Sequence, residues 1–90
     1  FYGTDLEEQL RAEGVDSLIV CGVTTNICVE STVRDAFFRD IRPIVPEDAT
    51  AAVTPELHEG ALEDFRYGFG QVGTIAEIET ALEGQTANSA

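Results

Sequence analysis

Residues 20–32 read VCGVTTNICVEST, and this stretch decides how the chain folds. It begins inside the apolar run 17–23, which is bounded by polar residues and is typical of a strand covered on both faces in a parallel sheet. The letters TTN that follow are residue types favoured at helix N-termini. The stretch therefore predicts a strand, a tight turn and a helix over about 27–39.

The rest of the chain alternates between helical and extended patterns in the same way. Capping boxes, N-cap residues and glycines mark the predicted boundaries. These are, in chain order, a capping box of Thr4 and Glu7 that opens a helix closed by Gly14, a short strand in 42–49, an N-cap at Thr54, a very short strand at 72–74 and a second capping box of Thr74 and Glu77.

Strands that alternate with helices indicate right-handed crossovers and a parallel sheet. The fold class is therefore α/β. Residues 1–84 are the folded part, either one small domain or a piece of a larger one, and residues 85–90 are a polar, flexible tail. Three strands make a narrow sheet. We expect one of its edges to pair with strands outside this chain.

The composition excludes several classes of partner. The 90 residues carry a net charge of −12, with five arginines and no lysine, which disfavours binding to nucleic acid and to anionic membranes. No apolar run approaches the roughly 18 residues of a membrane span. Two cysteines without a disulfide framework favour a cytoplasmic location. The chain contains no methionine, so we expect that part of the protein lies outside it.

The two cysteines have different predicted roles. Cys21 lies in the apolar strand run, where a small buried hydrophobe is the expected role. Cys28 follows the turn, where the free amides and dipole of the next helix stabilise a thiolate. The carboxyl end of a strand in an open α/β sheet is also where ligands bind. The residues alone leave Cys28 open as a nucleophile or an inert thiol, and they disfavour a disulfide or a metal site.

Most of the other residues that could take part in catalysis or binding are explained by structural roles. His58 is the only histidine and lies on a predicted helix, where a surface or half-buried role is usual. Gly68–Gly73 matches G-x-G-x-x-G but follows a helix instead of a strand, so it predicts turns and not a dinucleotide site. Asp35 is expected to cap or to pair with a neighbouring arginine. Thr25 and Asn26 could either contact substrate or cap the helix.

The segment GVTTNICVESTVRDAFFRD resembles the nucleophile motif of the isochorismatase-like cysteine hydrolases, roughly G-V-x-T-x-x-C-V-x-x-T-x-x-D-A. The flanking segments are similar too, so the resemblance covers about residues 1–82. It implies the C-terminal half of a three-layer α/β/α, Rossmann-like domain. It also implies that the Cys28 thiolate attacks an amide or ureide carbonyl to give a thioester, which water then hydrolyses.

The resemblance also implies roles for other residues of this chain. The backbone amides of Thr24 and Cys28 would form the oxyanion hole, and the peptide bond between Val23 and Thr24 would be cis. Thr25 and Asn26 would line the substrate pocket. The Asp base and the Lys of the family have no counterpart here, so a preceding segment or a complementary chain must supply them. No cofactor and no metal site within the chain are implied, and a homo-oligomer is expected.

The motif is most similar to ureidoacrylate and N-carbamoylsarcosine amidase types, so a small linear ureido or carbamoyl amide is the expected substrate. A nicotinamidase is the nearest alternative. A true isochorismatase is disfavoured, because that branch usually lacks the nucleophilic cysteine. A non-catalytic fragment or interaction module, with Cys28 vestigial, remains the alternative from another class.

Overall fold

The computed structural model describes residues 1–89, and side chains for residues 1–84. The helices are α1 (Leu6–Ala12), α2 (Glu30–Phe38), α3 (Pro55–Asp64) and α4 (Ile75–Ser89). The strands are β1 (Ser17–Ile19), β2 (Gly22–Val23), β3 (Arg42–Pro46), β4 (Thr50–Ala51) and β5 (Gln71–Gly73). A π-helical turn, Thr25–Val29, leads into α2, and a second, Phe65–Phe69, extends α3.

The principal sheet is parallel with the strand order β1-β3-β5. Leu18 pairs with Pro43 and Val45 pairs with Val72 across its two ladders. β2 and β4 form a separate parallel pair, with Gly22 opposite Thr50. The α/β class and the parallel sheet are confirmed. The predicted strand 17–23 is two strands, because the chain passes from one sheet to the other after Val20.

One face of the principal sheet carries the hydrophobic core. Val45 from β3, Val33 from α2 and Leu62 from α3 are completely buried there. Val20, Val29, Ala61 and Phe65 complete the cluster, and Leu18, Phe69 and Val72 pack against it. Burying such side chains is the main stabilising contribution in a chain of this size.

The opposite face is only partly covered by α4. Ile19 and Ile44 share a groove there with Ile78 and Leu82. Helices on both faces give the three layers of an α/β/α arrangement. The predicted tail, residues 85–90, lies outside the residues whose side chains are described, although the α4 backbone continues to Ser89.

Two of the predicted helix caps are present. Thr74 and Glu77 form a reciprocal capping box, with amide-to-side-chain distances of 3.0 and 3.1 Å. Thr54 Oγ1 accepts from the Leu57 amide at 3.2 Å. The prediction of a capping box at Thr4 and Glu7 is wrong, because the Glu7 carboxylate binds Arg11 and Arg39 instead of the backbone amide at the helix start.

Several large apolar side chains near the helices lie at the surface. The side chains of Ile27, Phe37 and Leu57 are 58%, 43% and 45% exposed. Ile27 belongs to the π-helical turn before α2, where the angle between successive side chains differs from that of an α-helix. Among residues 1–89, none of the helices combines the length and apolarity needed to cross a membrane.

Candidate active site

The site is created by a break in the first predicted strand. Val20 is buried and still donates its amide to the Ile44 carbonyl at 2.9 Å, so the chain leaves the principal sheet only after this residue. Gly22 then has φ +114°, a conformation that side chains with a Cβ rarely adopt. This bend directs β2 toward β4 and places the following turn at the carboxyl end of the parallel strands.

The turn itself is held by one carbonyl group. The peptide bond between Val23 and Thr24 is cis, as the resemblance implied. The Thr24 carbonyl accepts hydrogen bonds from the amides of Ile27 at 3.0 Å and Val29 at 3.1 Å. The second bond spans five residues and defines the π-helical turn. Thr24 stands at the N-cap of this turn, without a capping bond from its own side chain.

Cys28 is the fourth of the five residues of the turn, and Val29 separates it from α2. Its thiol is free and exposed. The side chain is therefore accessible at the end of the sheet where an α/β fold binds ligands.

Cys21 is also free and exposed, so its predicted role as a buried packing residue is wrong. It falls between β1 and β2, after the inward-facing Val20, where the alternation of a strand turns it away from the core. No disulfide joins it to Cys28.

A shallow, mostly apolar groove of about 340 Å³ lies beside the two cysteines. Its other lining residues include Leu6, Ile19, Val23 and Thr32. The groove runs along the edge of β1 that makes no strand pairing within the described chain. Val23 and Ile19 are 69% and 46% exposed there, so this edge presents an apolar surface beside the nucleophile candidate.

Thr25 and Asn26 occupy the start of the turn but differ in accessibility. Thr25 is completely buried, and its Oγ1 lies 2.9 Å from Nδ1 of His58 on α3. Thr25 is therefore not the cap of this turn, because Thr24 stands at the N-cap position. Its contact with substrate stays a prediction. Asn26 is half-buried, and its Oδ1 is enclosed without a hydrogen-bond partner among the described residues.

The remaining candidates have structural partners. Asp35 accepts from Nε of Arg39 at 2.9 Å, which is the pairing predicted for it. Gly70 ends the second π-helical turn and leads into β5, so the glycine motif spans the end of a helix and a strand and does not form a turn between a strand and a helix. Within residues 1–89, no three His, Cys, Asp or Glu side chains are grouped to hold a metal ion.

Most of the chain matches one known protein family. The family model for the isochorismatase domain matches residues 1–77. The chain belongs to the isochorismatase family. Among isochorismatase-family relatives, a ureidoacrylate amidohydrolase, RutB, from Methylobacterium radiotolerans is 48% identical over 83 residues, which is 91% of this chain and 32% of that protein.

Solved structures of the isochorismatase family have the same fold. A family protein from Burkholderia thailandensis matches with a TM-score of 0.88 at 40% identity, covering 92% of this chain and 44% of that one. A nicotinamidase/pyrazinamidase, PncA, from Bacillus subtilis matches with a TM-score of 0.78 at 38% identity, over 81% and 40%. The chain thus spans between about a third and a half of the length of these family members.

The contact between Thr25 and His58 is the feature of this isochorismatase-family site that the sequence did not predict. The two residues are 33 positions apart, and no local pattern connects a turn threonine to a histidine on a later helix. The only indication of this contact in the sequence was the predicted topology of the sheet and helices. Both elements lie on the same side of the predicted sheet, so a polar pair between them was possible.

Proposed function

We propose that the chain carries the nucleophile of a cysteine-dependent hydrolase of small linear amides of the ureido or carbamoyl type. The observation that carries the proposal is the exposed Cys28 in the π-helical turn at the carboxyl end of the sheet. The identity to a ureidoacrylate amidohydrolase supports the substrate class.

In this proposal the Cys28 thiolate adds to the carbonyl carbon of the amide. The oxyanion that forms is bound by the backbone amides of Thr24 and Cys28, a type of stabilisation worth about 3 kcal/mol per donor in other enzymes. The C–N bond then breaks, and the nitrogen leaves as ammonia or an amine after it receives a proton. Water attacks the resulting thioester, which releases the acid and regenerates the thiol.

An Asp that moves these protons and a Lys that assists it have to come from outside residues 1–90. We propose that a preceding segment or a complementary chain supplies them, and we call the assembly the complete hydrolase. The unpaired edge of β1 and the apolar groove beside Cys28 support this, because a strand added there would bring new side chains next to the thiol.

Asn26 is, together with Thr25, a candidate for substrate contact in this chain. Its enclosed Oδ1 lacks a donor among the described residues, and a buried acceptor without a partner is costly. A ureido N–H, or a donor from the complete hydrolase, would satisfy it. Asn26→Ala should therefore raise KM more than it lowers kcat if the donor is the substrate.

The experiment measures ammonia release by the complete hydrolase from a linear ureido compound and from nicotinamide. Cys28→Ser should reduce turnover by on the order of 10⁴ or more, since it removes the nucleophile. Cys21→Ser is the matched control, because Cys21 is also exposed but lies outside the turn, and it should keep activity within about twofold of the parent. Full activity in Cys28→Ser would remove the proposed mechanism.

A nicotinamidase is the second candidate function. The structural match to PncA from Bacillus subtilis favours it. A higher kcat/KM for nicotinamide than for the ureido compound would establish this candidate in place of the first, with the same role for Cys28.

A further inference from the structure

The start of the nucleophile turn is fastened to α3 by a single side-chain pair. Thr25 is the one polar side chain among the buried residues of the described chain. Its Oγ1 lies 2.9 Å from Nδ1 of the half-buried His58. A buried hydroxyl without a partner would cost free energy, so this contact is needed once the turn adopts its present position.

The other attachments of the turn are internal or apolar. The Thr24 carbonyl binds two amides of the same turn, which fixes its shape but not its placement against the rest of the fold. Val29 anchors the far end by packing into the core. The bond from Thr25 to His58 is the only side-chain hydrogen bond made by residues 24–29 within the part of the chain that the structure describes.

We infer that His58 is a positioning residue for the nucleophile turn, acting through the hydroxyl of Thr25. It holds the beginning of the turn against α3, while Val29 holds its end. The Thr24 amide and the Cys28 thiol therefore keep a fixed position relative to each other. Nδ1 of His58 is engaged by Thr25 and not by Cys28. The role in turnover rests on the proposed function, whereas the role in holding the turn does not.

Two substitutions at position 58 distinguish this role from general packing. An asparagine places its amide close to the position of Nδ1 in histidine, and a glutamine places it close to that of Nε2. His58→Asn should therefore keep the bond to Thr25, and His58→Gln should break it. Both remove the imidazole ring, so a loss of ring packing would affect both alike.

The first readout is amide hydrogen exchange in the complete hydrolase, which requires no substrate. Exchange of the amides of residues 25–29 should be roughly three- to tenfold faster in His58→Gln, the range set by the net contribution of one hydrogen bond. It should stay near the parent rate in His58→Asn. The amides of α4 residues 78–84 serve as the internal control and should not change in either variant.

Thr25→Val tests the same bond from the other side, because it removes the hydroxyl and nearly keeps the shape. The double variant Thr25→Val/His58→Gln should exchange no faster in the turn than either single variant, since both remove one interaction. Additive effects, or equal exchange in His58→Asn and His58→Gln, would overturn the inference.

The second readout is turnover of the ureido compound. His58→Gln should lower kcat several-fold with little change in KM, and His58→Asn should restore it. If the exchange pattern appears but the parent shows no hydrolysis, the proposed function fails while the positioning role stands. If hydrolysis is normal and the exchange pattern is absent, the positioning role fails alone.

Discussion

The Glu7 carboxylate lies 2.6 Å from Nη1 of Arg39 and joins α1 to the residue that follows α2. Glu7 also accepts from Arg11 at 3.0 Å, and Arg39 also donates to Asp35 at 2.9 Å. The hydrogen bond from Arg39, and next that from Arg11, lowers the pKa of Glu7. The bond to Glu7 is likewise the largest cause that raises the pKa of Arg39.

This ion-pair network predicts an acid-sensitive attachment of α1. A carboxyl group with a lowered pKa in the folded state contributes stability above its ordinary value of about 4.3, and that contribution is lost as the pH falls through the lowered value. The urea midpoint should therefore fall on acidification below about pH 4, and fall less in Glu7→Gln. Glu8→Gln, on the same helix, should follow the parent. Equal pH dependence in all three proteins would contradict the assignment.

Gly70 and Pro43 make the closest backbone approach found at any described glycine. A Cβ on residue 70 would lie 2.6 Å from the Pro43 carbonyl oxygen, which belongs to β3 and cannot move away freely. Gly70→Ala should lower the free energy of unfolding by about 1–3 kcal/mol, as overpacking does. Urea unfolding measures this.

Gly60 provides the matched control for that substitution. It lies within α3, and a Cβ added there would meet nothing within 4 Å beyond the backbone of its own helix. Gly60→Ala should raise stability by about 0.5–1 kcal/mol through helix propensity. Loss of stability at residue 60 and none at residue 70 would contradict the packing described here.

The capping box of Thr74 and Glu77 predicts a local effect on α4. The Thr74 amide is the largest cause that lowers the pKa of Glu77, and the Thr74 hydroxyl accepts from the Glu77 amide. Thr74→Ala should cost about 1 kcal/mol by removing the cap. Thr80→Ala, inside the same helix, should be neutral or slightly stabilising. Equal losses at both positions, in urea unfolding, would argue against the cap.

The element order was predictable because its signals are local. Alternating apolar runs, the N-cap at Thr54 and the box at Thr74 each depend on residues a few positions apart, and each is present in the structure. The position of Cys28 after a strand and before a helix followed from the same local signals.

The wrong predictions involve partners distant in sequence. Glu7 satisfies the capping pattern, but its carboxylate binds Arg39, 32 positions away, because an ion pair is available there. Cys21 fits an apolar run, but the pairing of β2 with β4 takes the chain out of the principal sheet. Thr25 fits a cap, but a histidine on α3 binds its hydroxyl. Tertiary contacts decide all three, and single-sequence patterns do not contain them.

The most direct test of the central claim is to trap the covalent intermediate on Cys28. The complete hydrolase, carrying Cys21→Ser so that the peptide between Arg11 and Arg34 holds one cysteine, is mixed with the ureido substrate, quenched in acid and analysed by peptide mass spectrometry. The account predicts an acyl adduct on Cys28 that forms within the first turnover and disappears when substrate is exhausted. Turnover with no adduct on Cys28, or with an adduct on another residue, would contradict it.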